Sequence, residues 1–205
     1  MIFNLLILLS ALLTIRAEYY GPPWQIYLFK PLTTSLLLLL ALRTQSPAFY
    51  RYAIVLGIFC SLIGDIFLML PSDRFILGLV SFLIAHLFYI AAFSSKAAWQ
   101  LSPWSILPFA LSAIILLSIL LPHAVNLQWP VAIYGVVLVT MAWRAAVAWN
   151  VTRETKALWA FIGAVLFVIS DATLAYNRFL QNFELARAMV LSTYFTAQWL
   201  IARSV

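Results

Sequence analysis

Two aspartates, Asp65 and Asp171, each lie inside a long apolar stretch of the chain. A carboxylate at membrane depth is costly, so it usually faces a protein interior or a water-filled cavity and marks a functional site. Two carboxylates that share a low-dielectric site cannot both ionise easily, which leaves one proton donor and one anion. Such a pair suits acid-assisted hydrolysis through a cationic intermediate, water activation by an aspartic dyad, or a proton relay in a transporter.

The composition is that of a membrane protein. Of the 205 residues, 65% are hydrophobic and only 9% are charged, whereas a soluble domain carries roughly 25% charged residues. We expect a single transmembrane domain over residues 1–205, since no segment is long enough for a separate soluble domain. The net charge of +6 comes from basic residues scattered between apolar runs. This pattern favours topology setting and lipid contacts, and we expect no nucleic-acid partner.

Eight apolar runs predict eight transmembrane helices, because a helix needs about 20 apolar residues, with a range of about 17–25, to cross a bilayer. The runs lack the alternation of a β-barrel, so strands are excluded. The predicted fold class is therefore all-α, a polytopic membrane bundle of about eight transmembrane helices. The predicted spans are residues 1–15, 27–42, 52–70, 76–93, 105–121, 129–149, 158–176 and 185–201.

The distribution of Lys and Arg predicts the orientation. Eight spans put both termini on one side of the membrane, and cytoplasmic loops are enriched in basic residues. The face with the termini receives seven Lys and Arg residues, Arg144 among them, and the opposite face receives five. We therefore expect cytoplasmic termini.

A faint internal echo relates the third and fourth spans to the seventh and eighth. In both pairs a small residue precedes the aspartate, an Arg-Phe dipeptide follows, and the next span carries polar side chains. This predicts two four-helix halves in parallel orientation. The matching dipeptides are Gly64-Asp65 with Arg74-Phe75, and Ser170-Asp171 with Arg178-Phe179.

The predicted spans put the two aspartates at the same depth. Asp65 lies five residues before Leu70, and Asp171 lies five residues before Tyr176, in segments that cross in the same direction. At about 1.5 Å per residue, both carboxylates lie roughly 7–8 Å below the same surface. They can therefore meet inside the bundle.

Other polar side chains fall in the same half of the membrane and predict a polar cleft that opens toward one face. We expect five of them to bind substrate: Lys30, His86, Tyr134, Tyr194 and Gln198. A structural role is the alternative for each. The histidine, tyrosines and glutamine could be interhelical hydrogen bonders, and Lys30 could reach lipid phosphates or neutralise one carboxylate.

Several kinds of chemistry lack their motifs in this chain. The sequence has no nucleophile elbow, no His-Glu-x-x-His zinc motif and no phosphate-cradling glycine loop. The single cysteine, Cys60, cannot form an intrachain disulfide and fits no metal-ligand spacing. We therefore expect neither a metal nor a cofactor.

The ordered motifs resemble those of the YhhN-like family over nearly the whole chain. They include Lys30-Pro31-Leu32, Gly64-Asp65, Ala85-His86-Leu87-Phe88-Tyr89, Ser170-Asp171, Asn177-Arg178-Phe179 and Ala197-Gln198. The characterised animal members of that family are lysoplasmalogenases. The resemblance implies an eight-span enzyme without a metal. It would cleave the vinyl ether bond of lysoplasmalogen to give a fatty aldehyde and glycerophosphoethanolamine or glycerophosphocholine.

The same resemblance implies that Asp65 and Asp171 are the essential residues and that a lysophospholipid and membrane lipids are the partners. The short chain without further domains is typical of a bacterial inner-membrane protein. We hypothesise that one aspartate protonates the vinyl carbon and that the ionised partner stabilises the resulting oxocarbenium ion. The alternatives are a proton-coupled transporter of solutes or lipids, an intramembrane aspartyl protease, and a structural membrane protein.

Overall fold

The computed structural model describes residues 2–98 and 103–205, so Met1 of the first predicted span lies outside the described residues. Within those ranges the regular structure is all helical, which confirms the predicted fold class. The helices are α1 (Ile2–Tyr20), α2 (Pro23–Arg43), α3 (Ala48–Met69), α4 (Phe75–Ser94), α5 (Pro103–Leu120), α6 (Gln128–Thr152), α7 (Thr155–Phe179) and α8 (Ala186–Arg203).

Six of the described helices, α1 to α4 with α6 and α7, are long and apolar enough to cross a membrane. The apolar part of α5, Ser105–Leu120, is shorter, and α8 is the least hydrophobic of the eight helices. Most helices also continue past the predicted apolar runs, because backbone hydrogen bonding does not stop where the side chains become polar. The chain is an integral, multi-pass membrane protein.

Six helices form a closed ring. In order around it, α2 packs on α3, α3 on α4, α4 on α6, α6 on α7, α7 on α8, and α8 on α2. The other two helices lie outside, where α1 packs against α2 and α8, and α5 packs against α6 and α7. The interior of the ring is the place where polar side chains from distant parts of the chain can meet.

The packing order supports the predicted repeat of two four-helix halves. Adding four to each helix number, and counting on from α8 to α1, turns the α1–α2, α2–α3, α3–α4 and α4–α6 contacts into α5–α6, α6–α7, α7–α8 and α8–α2. All four of these contacts occur. Phe75 and Phe179, which match in the sequence echo, contact each other edge to face with ring centroids 5.8 Å apart. The two halves therefore meet around equivalent residues.

Two glycines allow close approach within the paired helices of each half. A Cβ atom on Gly64 would lie 2.6 Å from the ring of Phe82, and one on Gly163 would lie 2.9 Å from the carbonyl oxygen of Ala197. Small residues commonly bring membrane helices together in this way. Gly64 thus lets Phe82 pack directly beside the helical turn that carries Asp65.

Arg144 is buried beside the end of α4 and the connection that follows it. Its side chain is completely buried, and it donates hydrogen bonds to Ser94 Oγ (2.9 Å) and to the carbonyl oxygen of Ala97 (2.6 Å). It therefore satisfies polar groups at the C-terminal end of α4. The count of seven basic residues on the terminal face included Arg144, whose side chain is buried rather than exposed at that face. The orientation stays a prediction.

Candidate functional site

A cavity of about 570 Å³ opens at one end of the bundle and contains both aspartates in its wall. Its lining comes from α1, α2, α3, α4, α7 and α8 and from the connection between α3 and α4. Asp65 on α3 and Asp171 on α7 both line it. The two carboxylates thus belong to one site, although 106 positions separate them in the sequence (171 − 65).

Asp65 is a buried carboxyl group with a partner on each of its two oxygens. It is 1% exposed. Lys30 Nζ lies 3.4 Å from its Oδ1, and the hydroxyls of Thr34 and Tyr194 each donate to its Oδ2 at 2.7 Å. The lysine compensates the negative charge and the two hydroxyls satisfy the remaining lone pairs, which is what a buried ion pair requires. These partners cover Asp65.

Asp171 has different neighbours. The hydroxyl of Tyr134 donates to its Oδ2, and Nε2 of His86 lies 3.5 Å from the same oxygen. Nε2 of His86 also lies 3.0 Å from the hydroxyl oxygen of Tyr134. The side chain of Asp171 is 12% exposed, whereas that of His86 is completely buried. Asp171 is therefore the more accessible of the two carboxylates.

The buried imidazole favours one tautomer. Among the described residues, Nδ1 of His86 has no hydrogen-bond partner. A proton on Nδ1 would leave a buried N–H donor unpaired, which costs about 1–3 kcal/mol. A proton on Nε2 instead points at Tyr134, whose hydroxyl in turn donates to Asp171. The three side chains then form a chain of hydrogen bonds that ends at the carboxylate.

The surroundings of the two aspartates correspond in position but differ in chemistry. Asp65 on α3 is bonded by α2 and α8, and Asp171 on α7 is bonded by α6 and α4, which are their counterparts when the helix number advances by four. The Asp65 side includes the cation of Lys30, whereas the Asp171 side offers a phenol and an imidazole. The repeat therefore contains two carboxylates in unlike environments.

Aromatic rings fill the space between the two sets of partners. Phe167, which is completely buried, packs edge to face against Tyr194 at 5.5 Å and against His86 at 4.7 Å between ring centroids. Phe82 packs in the same way against Tyr194 at 5.8 Å. Such pairs are rigid and apolar. They hold the phenol of Tyr194 and the imidazole of His86 in place.

The structure divides the five residues predicted to bind substrate. Lys30 and Tyr194 line the cavity, and Tyr134 lines an adjoining apolar pocket of about 50 Å³. His86 and Gln198 are completely buried. His86 contacts Tyr134, and Gln198 contacts Tyr194. The last two therefore lie behind the cavity wall, since neither side chain is exposed to a substrate.

Sequence reasoning missed the charged rim of the cavity. Two ion pairs lie there: Arg187 with Glu18 at 3.4 Å, and Arg178 with Asp73 at 2.5 Å. The hydrogen bond from Arg178 lowers the pKa of Asp73 below its ordinary value, so this pair is formed at neutral pH. The available signal was the position of Arg178 and Arg187 on either side of the α7–α8 connection. Neither arginine was predicted to line a binding site, although Arg178 belongs to the internal echo and to the Asn177-Arg178-Phe179 motif.

Within residues 2–98 and 103–205, no group of three or more His, Cys, Asp or Glu side chains is arranged to hold a metal ion. The polar atoms of the site are carboxylate, phenol, imidazole and amine groups that bond one another. What this donor set can do unaided is move and hold protons and stabilise charge.

The fold and the cavity define a polytopic helical membrane protein with two buried carboxylates in one site. The chain belongs to the YhhN family, which matches it over residues 25–205. An Escherichia coli O6:H1 protein named uncharacterized membrane protein YhhN is 35% identical over 201 residues. That alignment covers 96% of this chain and 95% of the E. coli protein.

Animal relatives also match. The rat protein named lysoplasmalogenase TMEM86B is 34% identical over 184 residues, with 89% of this chain and 74% of the rat protein aligned. The human protein named lysoplasmalogenase TMEM86A is 32% identical over 165 residues, with 74% of this chain and 64% of the human protein aligned. No solved structure matches the chain closely enough to count as a relative.

Proposed function

We propose that the protein is a lysoplasmalogenase, a membrane hydrolase that converts lysoplasmalogen and water into a fatty aldehyde and a glycerophosphodiester. The observation that carries the proposal is the pair of unlike carboxylates, Asp65 and Asp171, in the wall of one cavity. Relatives named lysoplasmalogenase support the same reaction. Vinyl ether hydrolysis needs an acid that can protonate carbon and a negative charge that stabilises the resulting cation. The two carboxylates have different partners, so each suits a different one of these roles.

Asp171 is our candidate for the acid. It is more exposed than Asp65, and it lies where the polar cavity meets the apolar pocket. A vinyl ether joins a polar glycerol to a hydrocarbon chain, so its double bond belongs at such a boundary. Tyr134 donates a neutral hydrogen bond to Asp171, and no lysine or arginine of the described residues lies within ion-pair distance of it, unlike Asp65 with Lys30.

Asp65 is our candidate for the anion. Lys30 compensates its charge, and Thr34 and Tyr194 donate to it, so this carboxylate is stabilised in its ionised form. Its negative charge faces the same cavity and can stabilise a cation that forms there. If Asp65 were the acid that protonates the substrate, its carboxyl group would have to give up these partners. The assignment therefore follows from which partners each carboxylate has.

The proposed reaction proceeds in three steps. Asp171 transfers its proton to the second carbon of the alkenyl chain, which leaves an oxocarbenium ion at the first carbon and a carboxylate on Asp171. A water molecule attacks the first carbon and gives one proton back to Asp171, forming a hemiacetal. The hemiacetal then loses its hydroxyl proton while the sn-1 oxygen gains one, and the carbon–oxygen bond breaks to release aldehyde and glycerophosphodiester.

The rim of the cavity suits a zwitterionic headgroup. Arg187 and Arg178 can bind a phosphate, since guanidinium groups are strong phosphate ligands. Their carboxylate partners, Glu18 and Asp73, can face the ammonium of ethanolamine or choline. Lys30 lies deeper and is already paired with Asp65, so the arginines are better placed than the lysine to bind the phosphate.

The test is mass spectrometry of the purified protein incubated in D₂O with 1-alkenyl lysophosphatidylethanolamine and, separately, with its 1-acyl counterpart. We expect aldehyde from the alkenyl lipid alone, with one deuterium on the carbon next to the aldehyde group, because the acid delivers solvent-derived hydrogen to that carbon. Fatty acid from the acyl lipid would instead indicate an ester hydrolase. An absence of aldehyde from the alkenyl lipid would reject the proposal.

A proton-coupled transporter of solutes or lipids is the second candidate. The buried hydrogen-bonded chain from His86 through Tyr134 to Asp171 favours it, because such chains serve as proton relays in transporters. Proteoliposomes distinguish the two functions. A transporter would move lysophospholipid into the lumen unchanged and in response to a pH gradient, whereas the hydrolase would yield aldehyde without a gradient.

A further inference from the structure

We propose that the apolar pocket beside Asp171 holds the first carbons of the substrate's alkenyl chain, and that the rest of the chain leaves the bundle past Leu117, between α5 and α6. This inference rests on the proposed function for its substrate class. It adds where the hydrocarbon chain lies and which residues limit its length.

The pocket adjoins the polar cavity and shares part of its wall. Five residues line both spaces: Asp171 and four apolar residues, Leu68, Phe75, Phe82 and Leu174. Beyond them the pocket wall is hydrocarbon from α4, α5, α6 and α7, apart from the hydroxyl of Tyr134. If the headgroup of a substrate fills the polar cavity, the junction between its polar part and its hydrocarbon chain therefore lies at Asp171. Binding pockets typically combine such an apolar wall with a few polar groups.

The pocket is too small for a whole fatty chain. Its volume is about 50 Å³, which accommodates roughly three or four water-sized groups, since one such group needs about 10–15 Å³ on this measure. A longer chain must continue elsewhere. A second apolar space of about 410 Å³ lies on the far side of Leu117, with Leu121 and Trp129 in its wall. Leu117 lines both spaces and separates them.

Gly135 leaves the room that this passage needs. It lines the pocket, and a Cβ atom on it would lie 2.9 Å from Cδ2 of Leu117. Any larger residue at position 135 would push the leucine side chain across the passage. Cδ2 of Leu117 is the end of a flexible side chain on α5, which among the described helices packs against α6 and α7 alone. It can therefore move aside for a lipid chain.

A photoreactive lipid tests the position of the chain without requiring turnover. The probe is 1-acyl lysophosphatidylethanolamine with a diazirine near the fourth carbon, a distance chosen from the roughly three or four groups that fit. Irradiation followed by mass spectrometry should label pocket residues such as Leu117, Val131 and Gly135. Labels confined to the lipid-facing residues of α5, such as Ile114 at 65% exposure, would overturn the inference even if the protein proves to have no hydrolase activity.

Chain-length kinetics provide the second readout. Leu117→Trp should close the passage and lower kcat/KM for long-chain lysoplasmalogen at least about tenfold relative to a short-chain analogue. The matched control is Ile114→Trp on the lipid-facing side of the same helix, which should keep the wild-type ratio. Gly135→Val serves if Leu117→Trp does not fold. An unchanged ratio in a folded variant, or an equal loss for every chain length, would contradict the proposed route. If the wild-type protein releases no aldehyde, the proposed function is contradicted but the position of the lipid chain is not. The photolabelling would still report on the pocket.

Discussion

Nε2 of His86 lies 3.0 Å from the hydroxyl oxygen of Tyr134, and that hydroxyl donates to Asp171. The three residues come from α4, α6 and α7, so the contact depends on three helices packing at once. The other carboxylate, Asp65, is bonded by residues of α2 and α8. The proposed roles of acid and anion follow from this difference between the two sets of partners.

Replacing either carboxylate should abolish aldehyde release. We expect Asp171→Asn and Asp65→Asn each to lower kcat at least about 100-fold, because an amide can neither deliver the proton nor carry the negative charge. The measurement is aldehyde formation from 1-alkenyl lysophosphatidylethanolamine, with thermal unfolding in detergent as the check on folding. Glu154→Gln, which changes an exposed carboxylate outside the cavity lining, is the matched control and should retain kcat. Normal turnover in either site variant would remove that residue from the proposed chemistry.

The Tyr134 hydroxyl should affect turnover more than binding. Tyr134→Phe keeps the ring in the wall but removes both the hydrogen bond to Asp171 and the contact with His86. We expect kcat to fall roughly 10–100-fold, with a change in the pH–rate profile. Asp171 becomes a carboxylate as it gives up its proton, and a hydrogen bond to a charged group contributes about 1.5–3 kcal/mol. Tyr89→Phe, which removes the bond to Gln198 and keeps the partners of Asp171, is the control. Equal effects of the two changes would argue against a specific link to Asp171.

His86 should act as a positioning residue through Tyr134. His86→Phe keeps an aromatic ring but removes the donor, and we expect it to resemble Tyr134→Phe in kcat. His86→Gln retains an N–H that can reach the phenol, so it should recover part of the lost activity. The comparison is made on kcat and on the pH–rate profile of both variants. If both variants keep wild-type kcat, the imidazole has no part in the reaction.

Lys30 should stabilise the folded protein by compensating Asp65. Lys30→Met leaves a buried carboxylate without its cation, and we expect the free energy of unfolding to fall by about 3 kcal/mol. The double variant Lys30→Met/Asp65→Asn should recover most of that loss, because the buried charge is then absent. Lys96→Met breaks the more exposed pair with Glu154 and should cost no more than about 1 kcal/mol. Equal stability of Lys30→Met and the wild type would show that the ion pair does not support the fold.

The arginines of the rim should set KM. Arg187→Gln and Arg178→Gln should each raise KM for lysoplasmalogen roughly tenfold and leave kcat nearly unchanged, because each removes one charge-assisted contact to phosphate. Arg43→Gln at the opposite end of α2 is the control. The pKa of Asp73 is lowered by Arg178, so the Arg178–Asp73 pair is complete above the ordinary pKa of aspartate and is lost only as the pH falls through the lowered value. At pH values between the lowered pKa of Asp73 and the ordinary pKa of aspartate, KM should therefore change little.

Some of the site could be predicted because it depends on local chemistry. Asp65 and Asp171 are recognisable from their charge in apolar surroundings, which is costly whatever the fold. Their depth could not be obtained by counting residues from the span ends. Helix α7 continues to Phe179, three residues beyond Tyr176, whereas α3 ends at Met69. The ends of apolar runs differ from the ends of helices because backbone hydrogen bonding continues where side-chain polarity changes.

The sequence by itself determined that this chain forms apolar helices in a membrane, that two carboxylates lie among them, and that the two halves resemble each other. Composition and spacing decide those properties, since the cost of exposing backbone and charge to lipid is local. Only the tertiary structure decided that Lys30 pairs with Asp65, whereas Tyr134 and His86 contact Asp171. Those partners come from helices that the closure of the ring brings together, and the interactions of distant residues are set by packing rather than by their order along the chain.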